Sequence, residues 1–494
     1  MFESVVKKRS AIYSEPLISM VIVLTAVMVL YAPSKLLAAL FLLPIMAVLY
    51  IGTSRFTKIV FPIIMITFPI TLQYSGKDAF STGSIIIFIT LAWTLITYRV
   101  TATLRNDKFL FSLLLLLISI AFIGMVTKTP ELYWGPAIRH YLNFLSSIAV
   151  FFLITHSQHI RGMARNKHEY IEKIINVLLW ITVIHIFISI LLLNFPWIEK
   201  HFTIFFSRTQ EHLSGYITDG AYTRATTIFV SGEGFGELIV LLFPFALYKI
   251  FVSKNKLYLF VAASLFFGMM LSGTRSAFMI IAFQIVLFVY VLAPRRYHNK
   301  KFVFTVAFGS ICIVMLPAFW FYGPILMERI QDTMELIRKG EGIVAIFNRS
   351  AVWPQAYNVT RDTISLFGYG PIQANRLSLT AKNFHCLYLS MIFQFGIIGT
   401  VVFLIFFYTI MRRLLKGMKK IKYRGPDYLL IVTCLLSFSC FLINEIKFEF
   451  NRSDSYQQLV WIVFAVFYLT GQLWRNFPHE KTYHYQPGAI RVSY

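Results

Sequence analysis

Long apolar blocks recur along the chain, each about 16 to 26 residues long, the length that a helix needs to cross a roughly 30 Å hydrocarbon core. Of the 494 residues, 57% are hydrophobic and 14% are charged, whereas roughly a quarter of the residues of a soluble domain are charged. The blocks therefore predict an all-α, polytopic integral membrane protein with about 12–14 transmembrane helices. We place candidate helices at 16–32, 36–52, 59–75, 83–98, 109–127, 137–155, 174–194, 232–252, 257–272, 276–294, 302–321, 386–411, 428–446 and 456–474.

The net charge of +24 could suit a nucleic-acid-binding protein, but the placement of the basic residues argues against that partner. Most of the 46 Lys and Arg residues fall between alternate helices, for example in 295–301 and 412–424. Basic loops mark the cytoplasmic side of a membrane protein. The charge therefore predicts a multi-pass protein of the bacterial cytoplasmic membrane with both termini in the cytoplasm. Anionic lipid is a weaker partner of the same charge, and no nucleic-acid partner is expected.

The four cysteines, Cys312, Cys386, Cys434 and Cys440, lie in or at the ends of apolar blocks. This placement predicts ordinary buried residues rather than a disulfide framework. The sequence has no CxxC spacing of the kind that would suggest a metal site.

Two outer loops, 195–231 and 322–385, interrupt the pattern of spans. Loops longer than about 15 residues are usually functional or disordered. The second loop is rich in aromatic residues and contains apolar residues at helical spacing between 325 and 337, so we expect a large ordered loop on the periplasmic or extracellular face.

Charged residues gather at the ends of the helices on this outer face. Arg224 ends the first loop, Glu233 and Glu237 enter the next helix, Arg275 lies in the short "SGTRSA" turn, and His385 precedes a later helix. Each has an ordinary explanation, since an arginine at a helix end often reaches toward headgroups and a glutamate near a helix N-terminus is favoured by the dipole. Glu237 lies one turn deeper, where a carboxylate is costly and usually functional.

Two arginines and a histidine on three separate outer segments suit one chemistry. The planar guanidinium group binds phosphate oxygens in a bidentate manner, and histidine exchanges a proton near neutral pH. Together they predict transfer from a diphosphate leaving group, in which arginines neutralise the diphosphate and a base activates the attacking hydroxyl.

Residues 205–405 resemble the superfamily of O-antigen ligases and O-antigen polymerases, which are membrane glycosyltransferases that use undecaprenyl-diphosphate-linked glycans. The resemblance rests on four stretches in order: "TRATTIFVSGEGFGEL", "SGTRSA", "NRSAVWPQAYNVTRDTISLFGYGP" and "NFHCLYLSMIFQFGIIGTVVFL". It implies that Arg224 and Arg275 hold the lipid diphosphate and that His385 positions or deprotonates the acceptor. Arg349 matches a loop arginine of the family whose role stays open.

Further residues follow from the same stretches. Trp353 and Tyr388 belong to the matched motifs, and we assign them with Arg349 and Glu237 to substrate binding. Glu233 departs from the ligase pattern and is more familiar in polymerases, and we count it among the catalytic candidates. The resemblance implies a reaction without metal or other cofactor.

The leading hypothesis is a polysaccharide polymerase that transfers glycan from undecaprenyl diphosphate to a lipid-linked repeat unit. The first alternative is an O-antigen ligase, which transfers the glycan to lipid A-core. A transporter of lipid-linked oligosaccharide ranks lower. Such proteins commonly show internal repeats and charges near the membrane centre, whereas this sequence shows no repeat and its charges gather at one face. A shape-determining peptidoglycan polymerase also ranks lower. The expected partners are the donor glycolipid, an acceptor glycolipid, the membrane and, as a further candidate, a chain-length regulator.

These expectations divide the chain into three parts. Residues 1–200 would hold N-terminal transmembrane helices, and 201–410 the ligase- or polymerase-like core with outer loops 195–231 and 322–385. Residues 411–494 would hold C-terminal transmembrane helices and a cytoplasmic tail.

Overall fold

The computed structural model describes most of the chain beyond residue 56. The described residues are 57–67, 71–74, 77–97, 108–156, 167–195, 232–253, 255–292, 352–380, 384–420, 425–446, 450 and 454–473, with isolated positions in 299–309 and 331–339. Arg224, Arg349 and the predicted helices 16–32 and 36–52 lie outside them, as does most of 302–321.

The described chain is built from apolar helices, which confirms the predicted fold class. The helices are α1 (Thr57–Thr67), α2 (Thr82–Thr97), α3 (Lys108–Lys128), α4 (Trp134–His156), α5 (Lys167–Asn194), α6 (Gly232–Val252), α7 (Leu257–Ser272), α8 (Arg275–Val286), α9 (Val352–Thr363), α10 (Leu387–Lys420), α11 (Pro426–Asn444) and α12 (Asp454–Leu473). Within the described residues, six helices are long and apolar enough to cross a membrane, and shorter apolar helices accompany them.

The predicted helix at 59–75 is wrong in its second half. α1 ends at Thr67, and strands β1 (Thr71–Tyr74) and β2 (Lys77–Ser81) follow as an antiparallel pair. In the sequence Phe68 precedes Pro69, and a proline disfavours helical conformation in the residue before it. The polar sequence that follows contains a Ser-Gly dipeptide, which is a turn signal. The mean hydropathy of the whole segment does not reveal it.

Helices of similar hydropathy occupy different layers of the bundle. In the most apolar window of α6, 89% of the residues are buried, against 44% in α3. α3 exposes Phe109, Leu115 and Phe122, which is the pattern of a lipid-facing helix. α6 is buried all round, so it lies in the centre of the protein.

An aromatic cluster holds α4, α10 and α12 together. The ring of Trp461 on α12 lies 5.8 Å from Phe151 on α4 and 5.3 Å from Phe406 on α10, measured between centroids. Phe144 and Phe403 contact the same indole at 6.5 Å and 6.4 Å. Because lipid is as apolar as these side chains, close packing of this kind is what favours helix association in a membrane.

A buried polar cluster joins α2, α4 and α12. The Gln458 side-chain amide donates to Ser84 Oγ at 2.9 Å and to Ser146 Oγ at 2.6 Å. Ser84 Oγ donates in turn to Asn143 Oδ1 at 3.0 Å. Such interhelical hydrogen bonds fix the register of apolar helices that could otherwise slide.

One end of the bundle carries a network of charged side chains. His168 on α5 lies 3.0 Å from the Asp427 carboxylate on α11 and 3.4 Å from the Glu172 carboxylate. Lys249 on α6 pairs with Glu172 at 3.3 Å, and the Tyr248 hydroxyl donates to Glu172 at 2.9 Å. We call this the far end, since it is opposite to the end where α6, α8 and α10 begin.

Candidate functional site

The helices α6, α8 and α10 begin at the same end of the bundle, which we call the cap end. The turn between α7 and α8 consists of Gly273 and Thr274, and Arg275 is the first residue of α8, which confirms the predicted short hairpin. A β-carbon at Gly236 of α6 would lie 2.7 Å from Thr274 Oγ1. The first turn of α6 therefore lies directly beside the turn that presents Arg275, whose side chain is half-buried.

The described part of the second outer loop, residues 352–380, folds over the cap end, and we call it the cap. It contains α9 and a short 3-10 helix, Ala374–Leu377, so the prediction of an ordered loop is confirmed for these residues. Its apolar core also includes residues of α3, α4 and α10. The cluster comprises Met125, Ala137, Ala356, Ile372, Ala374, Leu377, Phe384 and Phe393.

The cap is joined to the bundle through a break in α10. At Gly396 the backbone leaves the helical region (φ 68, ψ −171), a conformation that is essentially confined to glycine. The amides of Ile397 and Ile398 donate to the carbonyls of Ser365 and Leu366, and the Tyr369 amide donates to Phe393 O. The "GYG" and "GIIG" motifs thus form a structural joint, in which the cap supplies partners for the interrupted helix.

A second contact anchors the same joint to α3 and α4. Thr129, just after α3, donates from its hydroxyl to Tyr369 O at 2.7 Å. Trp134, the first residue of α4, donates from its indole N–H to Thr129 O at 3.0 Å. The cap is therefore bonded to α10 and to the end of α3, and α4 holds that end of α3 in place.

His385 lies between the cap and α10. Its side chain is 8% exposed, and its backbone adopts the left-handed region at φ 53, which is uncommon for a residue other than glycine. The Trp353 indole N–H on α9 donates to His385 O at 3.4 Å. Strained backbone of this kind persists where the surroundings fix it, as they often do at functional sites.

The residues after His385 are bonded to the end of α11. The Leu387 amide donates to Glu445 O at 2.9 Å, and the Tyr388 hydroxyl donates to Leu442 O at 2.8 Å. His385 is thus held by the cap on one side and by α11 on the other. The structure gives Trp353 and Tyr388 positioning contacts, and their predicted role in substrate binding stays a prediction.

Two buried carboxylates lie close to these residues. Glu237 is 2% exposed and Glu445 is 0% exposed, and the Tyr456 hydroxyl of α12 interacts electrostatically with both. Glu445 also accepts the Phe450 amide at 2.9 Å. Both carboxylates therefore lie at the cap end, Glu237 on the helix turn beside Thr274 and Glu445 bonded through its carbonyl to the segment that carries His385.

Some sequence candidates cannot be placed in this way. Arg224 and Arg349 lie outside the described residues, and Glu233 begins α6 but its side chain is not among the described side chains. Cys386, Cys434 and Cys440 are buried, as predicted, and among the described residues they form no disulfide. Cys312 lies outside the described residues. Among the described residues, no group of three His, Cys, Asp or Glu side chains could hold a metal ion.

Sequence reasoning missed Glu445 and Tyr456. Glu445 falls within the predicted helix 428–446. An acidic residue near the end of an apolar block is a signal that could have identified it. The same argument that singled out Glu237 applies to it, because a carboxylate in a span is usually functional. Tyr456 gave no signal of its own.

Residues 258–404 match the family model described as O-antigen ligase. This match agrees with the resemblance to O-antigen ligases and polymerases that the sequence motifs indicate. The matched family is of the glycosyltransferase type, which supports the predicted enzyme class. No curated protein matches the chain. The match to the O-antigen ligase family includes Arg275, Trp353, His385 and Tyr388, and it leaves out Glu445 and both carboxylates of α6.

Proposed function

We propose that the protein is a polysaccharide polymerase. It takes a growing glycan from undecaprenyl diphosphate and transfers it as a block to the non-reducing sugar of a lipid-linked repeat unit. The product is an O-antigen, capsule or exopolysaccharide chain lengthened by one repeat. The reaction takes place on the periplasmic or extracellular side of the bacterial cytoplasmic membrane, with both termini in the cytoplasm.

The observation that carries this proposal is the gathering of Arg275, Glu237, Glu445 and His385 at the cap end. Arg275 stands at the N-terminus of α8, where the first main-chain N–H groups and the helix dipole favour an anion. His385 is bonded through its carbonyl to Trp353 of the cap, and Glu445 is bonded through its carbonyl to Leu387, two residues beyond His385. An anion-binding group and a group that can accept a proton are thus held at one end of an apolar bundle, as transfer from a lipid diphosphate requires.

In the proposed reaction an acceptor hydroxyl oxygen forms a bond to the anomeric carbon of the donor glycan. The bond from that carbon to the diphosphate oxygen breaks, and its electron pair leaves with undecaprenyl diphosphate. Arg275, together with Arg224, stabilises the charge on the leaving diphosphate. His385 accepts the hydroxyl proton, and Glu233 and Glu237 lie on the helix beside Arg275, where they orient the acceptor.

The glycan profile of a deletion strain tests this function. The strain is complemented with wild type, Arg275→Ala or His385→Ala, and the amount of each variant in the membrane is measured. Both variants should lose long chains while single repeats remain on the acceptor. Arg361→Ala is the matched control, because Arg361 is an exposed cap arginine that pairs with the neighbouring Asp362 at 3.0 Å, and its profile should stay normal.

The ligase is the second candidate, since the family matched by residues 258–404 is described as O-antigen ligase. It would use the same donor chemistry and lipid A-core as the acceptor. Loss of every attached glycan, with lipid-linked polymer accumulating, would identify this function. Normal profiles in both variants would contradict both glycosyltransferase proposals and favour the transporter.

The remaining sequence hypotheses enter this proposal unchanged. A chain-length regulator is a candidate partner, and no nucleic acid is expected to bind. The division of the chain at residues 200 and 410 likewise stays a prediction.

A further inference from the structure

Glu445 is a fully buried carboxylate at the end of α11 that the proposed reaction does not yet use. Its side chain is 0% exposed. Burial of an ionised carboxylate is costly, and an acidic residue at the border of a transmembrane helix is a functional candidate by default. Glu445 lies outside residues 258–404, so the family match does not include it.

The position of Glu445 is fixed from two directions. Its carbonyl oxygen accepts the Leu387 amide at 2.9 Å, two residues beyond His385. Its carboxylate Oε2 accepts the Phe450 amide at 2.9 Å, which holds the side chain within the turn that follows α11. Glu445 therefore helps to hold the segment that carries His385, and its carboxylate is fixed in the adjoining turn.

The groups around Glu445 are polar and come from several elements. The Tyr388 hydroxyl on α10 and the Tyr456 hydroxyl on α12 interact electrostatically with Glu445. Glu237 on α6 also interacts electrostatically with Tyr456. Cys386 lies beside Tyr388. The main-chain hydrogen bond between Leu387 and Glu445 joins this carboxylate-bearing residue to the segment that carries His385.

We propose that Glu445 is a positioning residue whose negative charge stabilises the imidazolium form of His385 as it takes the proton from the acceptor hydroxyl. This inference rests on the proposed function. The proton moves from the hydroxyl oxygen to the imidazole nitrogen, and Glu445 stays ionised throughout. A negative charge close to a histidine favours its protonated form. The carboxylate thus makes His385 a stronger base at the moment when the glycosidic bond forms.

Glu445→Gln tests the inference, because glutamine keeps the size of the side chain and can still accept the Phe450 amide. Wild type and variant are compared in proteoliposomes that contain the lipid-linked glycan, and kcat is measured against pH. We expect kcat at neutral pH to fall about 10- to 100-fold, less than the loss of a general base, which contributes about 10²–10⁴-fold. The acid limb of the kcat profile should move to lower pH, because a less favoured imidazolium loses its proton more readily.

Glu335→Gln is the matched control. Glu335 lies in the second outer loop, is exposed, and pairs with Lys339 at 2.7 Å. Removal of this solvated charge should leave both kcat and the acid limb unchanged. If Glu445→Gln lowers kcat without moving the acid limb, Glu445 acts only in packing and the inference is overturned, as it is if nothing changes.

Kinetics are normalised to the monodisperse protein, so that a loss of folded enzyme is not mistaken for a loss of turnover. If Glu445→Gln yields no such protein, Glu445→Asp replaces it. The shorter carboxylate should move the acid limb in the same direction by a smaller amount, and an unmoved limb overturns the inference. Wild-type enzyme that transfers glycan to neither a lipid-linked repeat nor lipid A-core would instead refute the proposed function.

Discussion

The two ends of the bundle both bury charged side chains, but they hold them by different means. At the far end, Lys249 and Glu172 pair across α5 and α6 at 3.3 Å, and His168 lies between two carboxylates. At the cap end, the Glu445 carboxylate accepts the Phe450 main-chain amide at 2.9 Å. A set of matched opposite charges stabilises the fold. The carboxylate at the cap end has a main-chain amide as its donor instead, which leaves its charge for the role proposed above.

The largest expected effect concerns the far end. Glu172→Ala leaves Lys249, whose side chain is 5% exposed, without its carboxylate partner. We expect the free energy of unfolding to fall by about 3 kcal/mol, as when one partner of a buried pair is removed, while turnover per folded molecule stays unchanged. Thermal or denaturant unfolding in detergent measures the first quantity, and glycan transfer measures the second.

Glu169→Ala is the control for this prediction. Glu169 lies on the same helix and pairs with Lys173 at 2.7 Å, but both side chains are exposed. Exposed pairs contribute about 0–1 kcal/mol. An equal loss of stability in both variants would show that the far-end network is no more important than a surface pair.

The next effect concerns the cap end and should show the reverse pattern. Arg275→Lys keeps the charge but loses the bidentate geometry that suits a diphosphate. We expect kcat/KM to fall about 100-fold, as when one donor to a developing negative charge is lost, with unfolding unchanged. Arg361→Lys in the exposed part of the cap should change neither. If Arg275→Lys also lowered the free energy of unfolding, Arg275 would have a structural role like that of the far-end charges.

The joint between the cap and α10 should respond in both assays. Gly396→Ala introduces a β-carbon that would clash with Leu366 O and lie 2.7 Å from Gly368 N, at a backbone conformation that costs about 1–3 kcal/mol for other residues. We expect a loss of about 2 kcal/mol in stability and faster proteolysis within 352–380.

Gly135→Ala is the matched change, because a β-carbon at Gly135 meets nothing within 4 Å. Its stability should be unchanged or slightly higher, since alanine favours helix over glycine. Unchanged proteolysis of the cap in Gly396→Ala would mean that the break in α10 does not hold the cap.

The smallest effect concerns the support of His385. Trp353→Phe removes the indole N–H that donates to His385 O at 3.4 Å, while the ring remains to pack. A hydrogen bond of this kind contributes about 1 kcal/mol, so kcat should fall roughly fivefold with KM unchanged. Tyr357→Phe alters an exposed side chain of the same helix and serves as the control. A change in KM alone would indicate a direct substrate contact instead.

The sequence predicted the spans well because each requires only a long apolar block. α3, α4, α6 and α7 agree with the predicted ranges to within a few residues. It could not rank them by depth, since the central α6 and the lipid-facing α3 are both apolar all round. The β1–β2 hairpin and the break at Gly396 escaped prediction for a related reason. Average hydropathy reports how apolar a segment is and contains no information about its backbone angles.

The site was predicted in part. Arg275, Glu237 and His385 were singled out from charge at helix ends, and the structure brings Glu237 beside the turn of Arg275. Glu445 was missed because its neighbours come from α10 and α12, which are remote in sequence. The sequence identified the "GYG" stretch only as a family motif. The structure shows that this stretch makes main-chain hydrogen bonds to α10, and such bonds leave little trace in a sequence because most residue types can make them.

The joint at Gly396 also bears on how substrates reach the site. If the cap swung away, the amides of Ile397, Ile398 and Tyr369 would lose their acceptors next to lipid, where each unsatisfied group costs several kcal/mol. These hydrogen bonds therefore keep the cap in place and oppose its opening. Under the proposed function, donor and acceptor lipids would then enter and leave sideways, between the helices at the cap end, and a long glycan could stay beneath the cap from one addition to the next.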